Sequence, residues 1–103
     1  MNAAERVARG ARLLDGHAPG WAGLVRLDVM DLSSPCACVL GQVYGGTAGR
    51  PGYNVGLRVL GLSEEEAGDS GFLLVGCHEG RSVTWTDLSG LWAAEVRARR
   101  VAA

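Results

Sequence analysis

The chain has 103 residues, and its 11 acidic and 10 basic side chains leave it almost neutral. A chain of this length supports one hydrophobic core, so we expect residues 1–103 to form a single small globular domain. No apolar run approaches the ~20 residues of a membrane-spanning helix. The small net charge disfavours nucleic-acid binding, which usually requires a basic excess. Three irregularly spaced cysteines indicate no disulfide framework and favour a reducing cytoplasm.

The first predicted element is a helix near the N-terminus. Asn2 and Glu5 stand in the spacing of a capping box, and apolar residues recur after them at helical intervals. We therefore expect a helix over 3–15, closed by Gly16. The apolar residues of segment 21–32 fit neither the helical nor the strand period. Two structures are therefore compatible with this segment, a short helical turn and an irregular packed segment.

A second and a third helix are predicted in the middle of the chain. Ser34 is a good N-cap and Pro35 is favoured at the first helical position, which predicts a helix over 35–45. A glycine-rich loop follows. The next apolar stripe predicts a helix over 53–60, with Gly61 as its C-terminal cap.

Two further capping boxes predict a short helix over 64–69 and a last helix over 85–100. The capping pairs are Ser63 with Glu66 and Thr84 with Asp87. The apolar run 71–76 between these helices is expected to be a buried connector, and a small β-hairpin near residues 72–86 is the alternative. Gly90, inside the last helix, is expected to permit close packing.

These elements predict a mainly α fold. We expect one compact domain of four or five short helices, with the second helix at its centre and the last helix laid across it. Gly41 in the second helix would let a neighbouring element approach closely.

A metal site could be built from Cys36, Cys38, Cys77 and His78, which are ligand types that bind zinc. The C-x-C spacing is not that of the usual zinc knuckle. In a helix that begins at Ser34, Cys36 and Cys38 would point ~200° apart, so they could not hold one ion. Free or structural cysteines are the preferred interpretation, and no cofactor is predicted.

The second helix has one apolar face and one face of small or polar residues that includes Cys38 and Gln42. One interpretation is a central helix packed on both sides. The other makes Cys38 and Gln42, which are four residues apart, the floor of a small binding pocket. Cys36 in the first turn could have a lowered thiol pKa, but no histidine is placed near it, which disfavours a thiol enzyme.

Trp21 and the C-terminal arginines are the remaining candidates for binding. Trp21 follows a Pro-Gly turn and could lie in the core or stand half exposed as an interface hot spot. Arg97, Arg99 and Arg100 fit a helix C-terminus, where the helix dipole favours cations. Their alternative role is weak nucleic-acid binding.

The stretch Cys-Val-Leu-Gly-Gln-Val-Tyr-Gly at residues 38–45 resembles a group of small uncharacterised proteins of actinobacteria and their phages. Shorter similarities cover most of the chain. The resemblance implies no activity or cofactor, but it marks Cys38 and Gln42 as matching the group's motif. The glycine loop after Tyr44, and the residues Cys36 and Cys77-His78, depart from that pattern.

The sequence presents no acid–base cluster, nucleophile constellation or cofactor fingerprint, so an enzyme is disfavoured. We expect a small non-enzymatic interaction protein, phage-encoded or accessory, that binds and modulates a protein partner. One alternative is a small-ligand or metal-binding domain that uses the Cys38 region. The other is a weak nucleic-acid binder.

Overall fold

The computed structural model describes residues 2–45, 51–74, 77–78, 81–82 and 84–102. In this part of the chain the fold is mainly helical and forms one compact globule, which confirms the predicted fold class. None of the described helices combines the length and the apolar character that a bilayer-crossing helix requires.

The described chain contains five α-helices, one 3₁₀ helix and one pair of two-residue strands. The helices are α1 (Ala3–His17), the 3₁₀ helix (Trp21–Leu24), α2 (Val39–Val43), α3 (Gly52–Leu60), α4 (Glu64–Asp69) and α5 (Trp85–Ala102). The antiparallel strands are β1 (Cys77–His78) and β2 (Arg81–Ser82). Of the hairpin alternative near residues 72–86, the described residues show this short ladder.

Helix α1 begins as predicted, because the side chain of Asn2 accepts a hydrogen bond from the Glu5 amide at 2.8 Å. Its predicted end at Gly16 is wrong. The helix continues to His17, and the Ala18 amide still donates to the Leu14 carbonyl. The left-handed conformation that a glycine cap would supply occurs later, at Gly20 (φ +82°), where the chain turns into the 3₁₀ helix.

Helix α2 is much shorter than the predicted 35–45. The hydroxyl of Ser34 does accept from the amides of Cys36 and Ala37, at 3.3 and 3.2 Å, but this forms a turn and not a helix. Cys38 then adopts an extended conformation, and its sulfur accepts from the Gly41 amide at 3.2 Å. Cys38 is therefore the N-cap of α2, and Cys36 lies outside the helix.

The other helix ends agree closely with the sequence. Gly61 closes α3 in the left-handed region (φ +69°), and Ser63 and Glu66 form a reciprocal capping box on α4. Thr84 and Asp87 exchange the equivalent hydrogen bonds at α5. Helix α5 extends two residues beyond the predicted 85–100. The predicted connector 71–76 is only partly described, and its last two residues lie outside the described chain.

An aromatic cluster forms the centre of the core. Trp92 is fully buried, meets the edge of Trp21 at 5.9 Å between ring centroids, and stacks on Phe72 at 5.1 Å. Its indole N–H donates to the Gly71 carbonyl at 2.7 Å, which satisfies the buried nitrogen. Because Trp92 belongs to α5, this cluster fixes α5 against α1 and the 3₁₀ helix, not across α2 as predicted.

Glycine backbones allow α2 and α3 to touch. A Cβ atom on Gly52 would lie 2.4 Å from the Gly41 carbonyl oxygen, and one on Gly41 would lie 2.6 Å from the Cys36 carbonyl carbon. The predicted close approach at Gly41 is confirmed. The predicted packing role of Gly90 is wrong, because that glycine is exposed and a Cβ there would meet no atom within 4 Å.

Candidate functional site

Two concave regions of the described surface are candidates for binding. The first, the Arg99 groove, has a volume of about 470 Å³ and lies between the end of α1, the 3₁₀ helix and the end of α5. The second, the Cys38 cavity, has a volume of about 150 Å³ and lies where α2, α3 and the start of α5 converge. They share no lining residue, so they are separate sites.

The Arg99 groove is built around an ion-pair network. Arg99 donates to both carboxylate oxygens of Asp15 at 2.8 Å, and to the Glu95 carboxylate at 2.5 Å. The hydrogen bond from Arg99 lowers the pKa of Asp15 to about 2, with further help from the Trp21 indole N–H. These contacts raise the pKa of Arg99. Asp15 and Arg99 therefore both stay charged over the whole physiological range.

Trp21 lies beneath this network and is not the half-exposed hot spot that one interpretation predicted. Only 1% of its surface is exposed, its indole N–H donates to Asp15 at 2.9 Å, and the Arg99 guanidinium lies 5.3 Å from its ring centre. Gly20, which adopts the left-handed conformation, turns the chain immediately before Trp21, where the 3₁₀ helix begins. Its role at the groove is to support the wall from within.

The C-terminal arginines differ in how much of their charge is available. Arg100 donates to the carbonyls of Ala22 and Val25, which fastens α5 to the end of the 3₁₀ helix. Arg99 donates to Asp15 and Glu95. Arg99 and Arg100, two of the three arginines in the nucleic-acid alternative, therefore already donate hydrogen bonds within the chain. Arg97 is exposed and makes no hydrogen bond or ion pair with any described residue.

Two exposed aliphatic residues are sequence neighbours of residues that line the Arg99 groove. Leu24 is 59% exposed and follows the lining residue Gly23, and Val101 is 87% exposed and follows the lining residue Arg100. These exposed apolar residues are close in the sequence to the guanidinium of Arg100, which lines the groove. No described residue accepts a hydrogen bond from its Nη1. This combination suits a ligand that has both an apolar side chain and a carboxylate.

The Cys38 cavity has mostly apolar walls and a few polar groups. The apolar lining residues are Leu32, Pro35, Phe72, Leu73 and Trp85, and the polar ones are Ser33, Ser34, Cys38 and Tyr53. Burial raises the pKa of the Cys38 thiol, and the Gly41 amide opposes this only in part. The thiol is protonated at neutral pH, which makes it a poor nucleophile and a poor metal ligand.

Tyr53 brings an unsatisfied polar group to the same place. Its hydroxyl oxygen is inaccessible to solvent and has no hydrogen-bond partner among the described residues. Burial raises the pKa of this phenol, and negative charge on Glu64 and on the nearby Cys38 would raise it further. The Tyr53 phenol is therefore neutral at physiological pH, and its hydroxyl adjoins no space that a water-sized molecule can enter.

Gln42 does not share the cavity with Cys38. Its carboxamide accepts from the Arg26 amide at 2.6 Å and donates to the carbonyls of Arg26 and Ala37, at 3.2 and 2.9 Å. Gln42 thereby joins α2 to the segment after the 3₁₀ helix, and it is not among the residues lining the cavity. The structure does not bring Cys38 and Gln42 together as one pocket floor.

The proposed zinc ligands are only partly described. Cys36 is exposed and Cys38 is buried, so the two thiols face different surroundings. The side chains of Cys77 and His78 lie outside the described residues. Among the described side chains, no three His, Cys, Asp or Glu residues are grouped as a metal site would require.

No family model, curated protein or solved structure matches this chain. The resemblance to actinobacterial and phage proteins therefore stays a prediction.

No local sequence signal distinguishes Asp15 or Tyr53, and none pairs Asp15 with Arg99. Asp15 and Arg99 are 84 residues apart and no local spacing connects them. Tyr53 stood in the apolar stripe of α3, where a tyrosine has the same pattern as any core residue. Only the fold shows that its hydroxyl lacks a partner.

Proposed function

We propose that this protein is a small non-enzymatic binding protein that docks a segment of a protein partner in the Arg99 groove and thereby modulates the partner. The observation that carries the proposal is the exposure of Leu24 and Val101, at 59% and 87%, each directly following in the sequence a residue that lines the same groove. Exposed apolar surface around a concave site is typical of interaction surfaces.

The chemistry of the partner segment follows from the groove. Leu24 and Val101, which follow lining residues in the sequence, offer apolar contact, and Arg100, which lines the groove, offers positive charge. We therefore propose a segment in which an apolar side chain stands close to an Asp or Glu. The Asp15–Arg99 pair is already satisfied, so it holds the walls in place before the partner arrives, which reduces the ordering cost of binding.

A selection from a random-peptide display library against the full chain tests this proposal. We expect the enriched peptides to share an apolar residue near an acidic one. Leu24→Glu should weaken their binding about tenfold or more, because it replaces the apolar contact with a charge that repels the acidic residue. Binding of the synthesised peptides is measured by fluorescence anisotropy.

Val59→Glu is the matched control. Val59 is similarly exposed, at 50%, but lies on α3, none of whose residues lines the groove, whereas Leu24 directly follows the lining residue Gly23. The control should bind the peptides within about twofold of the unaltered chain. A library that yields no apolar–acidic consensus, or peptides that bind Leu24→Glu as well as the unaltered protein, would contradict the proposal.

The biological setting is proposed from the sequence. The resemblance over residues 38–45 supports an accessory or phage-encoded protein, and the two free thiols at Cys36 and Cys38 suit a reducing cytoplasm. The genes that adjoin the coding sequence test this directly. Phage structural or regulatory genes on both sides would support a phage origin, and a conserved metabolic operon would contradict it.

A further inference from the structure

Residues 28–31, the acidic segment, follow the 3₁₀ helix and combine exposed apolar and acidic side chains. We propose that the acidic segment of a second copy of this chain occupies the Arg99 groove when no other partner is bound. Asp28 and Val29 of each copy then complete the groove of the other. The inference rests on the proposed function, because it takes from there both the groove and its preference for an apolar residue beside a carboxylate.

The described surface offers a match to that preference in this segment. The large apolar side chains that are exposed in the described chain are Leu24, Val29, Val59 and Val101. Two of them follow residues that line the groove, and Val59 follows Arg58, whose charge has the same sign as that of the groove arginines. Val29 is 48% exposed, with Asp28 directly before it and Asp31 two positions after it. It is thus the exposed apolar residue that stands between carboxylates.

Backbone hydrogen bonds fix the shape of the acidic segment before it docks. The Val29 amide donates to the Arg26 carbonyl at 3.4 Å, and the Asp31 amide donates to the Ala37 carbonyl at 3.2 Å. The carboxamide of Gln42 bonds to both backbone groups of Arg26, at the base of the turn. Because the segment is already ordered, it loses little conformational entropy when a second copy binds it.

The carboxylate of Asp28 is available to a second copy. Its side chain is 68% exposed and forms an ion pair with the equally exposed Arg26 at 3.2 Å. Such a pair contributes little to stability, so its exchange for another arginine costs little. In the groove, Arg100 holds the carbonyls of Ala22 and Val25, and no described residue accepts from its Nη1. Arg100 can therefore keep both bonds and donate a third to Asp28 of the second copy.

The groove and the acidic segment lie in the same region of the molecule. Asp28 follows the lining residue Gly23 by five positions, which separates the two by at most about 18 Å of extended chain. Neither Asp28 nor Val29 lines the groove of its own chain. Two copies related by a two-fold axis can each place the acidic segment in the other's groove, so that the same contact is made twice.

Self-association of this kind regulates the proposed binding. Each groove is blocked in the dimer, so a partner segment must displace the second copy before it can dock. The apparent affinity for the partner then falls as the concentration of the protein rises.

Sedimentation equilibrium of the full chain over a range of concentrations tests the inference. The unaltered chain, of 10.8 kDa, should approach twice that mass as its concentration rises towards about 1 mM. Val29→Glu should weaken the association about tenfold or more, because both contacts lose their apolar group. Val59→Glu introduces the same charge at an exposed site on α3 and is the control, which should associate like the unaltered chain.

A charge exchange identifies the two surfaces that meet. Asp28→Arg and Arg100→Glu should each associate about tenfold or more weakly, because each variant places like charges together in both contacts. An equimolar mixture of the two should associate again. In the mixed dimer the introduced arginine faces the introduced glutamate, while the unaltered Asp28 faces the unaltered Arg100. Circular dichroism first establishes that each variant is folded, and if Arg100→Glu is not, the contrast between Val29→Glu and Val59→Glu decides.

The inference is overturned if the unaltered chain stays monomeric up to about 1 mM, or if Val29→Glu associates as strongly as Val59→Glu. It is also overturned if the mixture of folded charge variants associates no better than either one alone. A monomeric chain that still selects apolar–acidic peptides would overturn this inference and leave the proposed function standing. A dimeric chain that selects no such peptides would contradict the proposed function and support the second copy as the occupant of the groove.

Discussion

Arg99 donates two hydrogen bonds of 2.8 Å to the carboxylate of Asp15. The arginine lies near the end of α5 and the aspartate near the end of α1. The same carboxylate accepts from the Trp21 indole at 2.9 Å, and Glu95 accepts from the other side of the guanidinium. One buried indole and one ion pair thus tie together three elements from distant parts of the sequence. This arrangement determines both the stability and the shape of the Arg99 groove.

The stability contributed by Asp15 should depend on pH. Its folded-state pKa is about 2, below the ordinary 3.8. A lowered carboxyl pKa stabilises the folded state above the unfolded pKa, and that stabilisation is lost as the pH falls from about 4 through about 2. Since the side chain is 47% exposed, we expect a loss of only ~1 kcal/mol.

Urea unfolding between pH 5 and pH 2 measures this loss. Asp15→Asn should be less stable than the unaltered chain at pH 5, and the difference should shrink towards pH 2. Glu65→Gln, at an exposed position of α4, is the control and should show no such convergence. A constant difference between Asp15→Asn and the unaltered chain across this range would contradict the assigned role of the pair.

Trp21→Ala should unfold much of the protein. The residue is 1% exposed and contacts Trp92 edge to face, so its truncation should cost ~3–5 kcal/mol. Trp21→Phe keeps an aromatic ring but loses the hydrogen bond to Asp15, and should cost ~1–2 kcal/mol beyond any change in packing. Denaturant titration separates the two, and a loss below ~1 kcal/mol for Trp21→Ala would show that the side chain is not in the core.

Two glycine substitutions should have opposite effects on the free energy of unfolding. Gly41→Ala places a methyl group 2.6 Å from the Cys36 carbonyl carbon, so it should destabilise the fold by ~1–3 kcal/mol. Gly90→Ala meets no atom within 4 Å on an exposed helical surface, so it should stabilise α5 by ~0.5–1 kcal/mol. Thermal unfolding measures both, and equal signs would contradict the assignment.

Local signals were sufficient for most of the helices. The capping pairs at α1, α4 and α5 and the terminal glycine of α3 involve residues within a few positions of each other, and all were predicted. The start of α2 was predicted wrongly because two caps compete there. Ser34 caps a turn, whereas Cys38 caps the helix itself. The backbone of Gly41 packs against the carbonyl of Cys36, which lies outside the helix.

The candidate sites were harder to predict because they depend on distant contacts. Cys38 was singled out from its helical face, and it does line a cavity. Its predicted companion Gln42 faces another segment, because the shortened α2 changes the rotational positions on which that pairing relied. Arg99 finds Asp15 only through the packing of α5 on α1, which no periodicity in the sequence specifies.

Gln42 should be a stabilising residue. Its carboxamide bonds to the backbone of Arg26 through both its oxygen and its nitrogen, and to the Ala37 carbonyl. Gln42→Ala should lower the free energy of unfolding by ~1 kcal/mol, since it removes these bonds but water can take their place at the exposed Arg26 backbone. Gln42→Glu keeps the acceptor for the Arg26 amide but loses the donors. A folded Gln42→Ala with unaltered stability would contradict this role.

The thiols of Cys36 and Cys38 should differ in reactivity. Cys36 is exposed, whereas Cys38 is 3% exposed and burial raises its pKa. In a Cys77→Ser background, iodoacetamide near pH 8 should alkylate Cys36 quickly and Cys38 only after denaturant is added. Mass spectrometry of the digested protein assigns each adduct.

The same contrast bears on the weak zinc alternative. A metal would need both sulfurs as thiolates at one ion, but Cys38 already uses its sulfur to cap α2 and is held protonated in an apolar setting. Addition of Co²⁺ to the unaltered chain should therefore give no thiolate-to-cobalt absorption, and Cys36→Ser should behave identically. A cobalt band that disappears both in Cys36→Ser and in Cys38→Ser would show that both thiols bind one ion. The N-cap role of Cys38 would then be wrong for the metal-bound state, because its sulfur would have to leave the Gly41 amide.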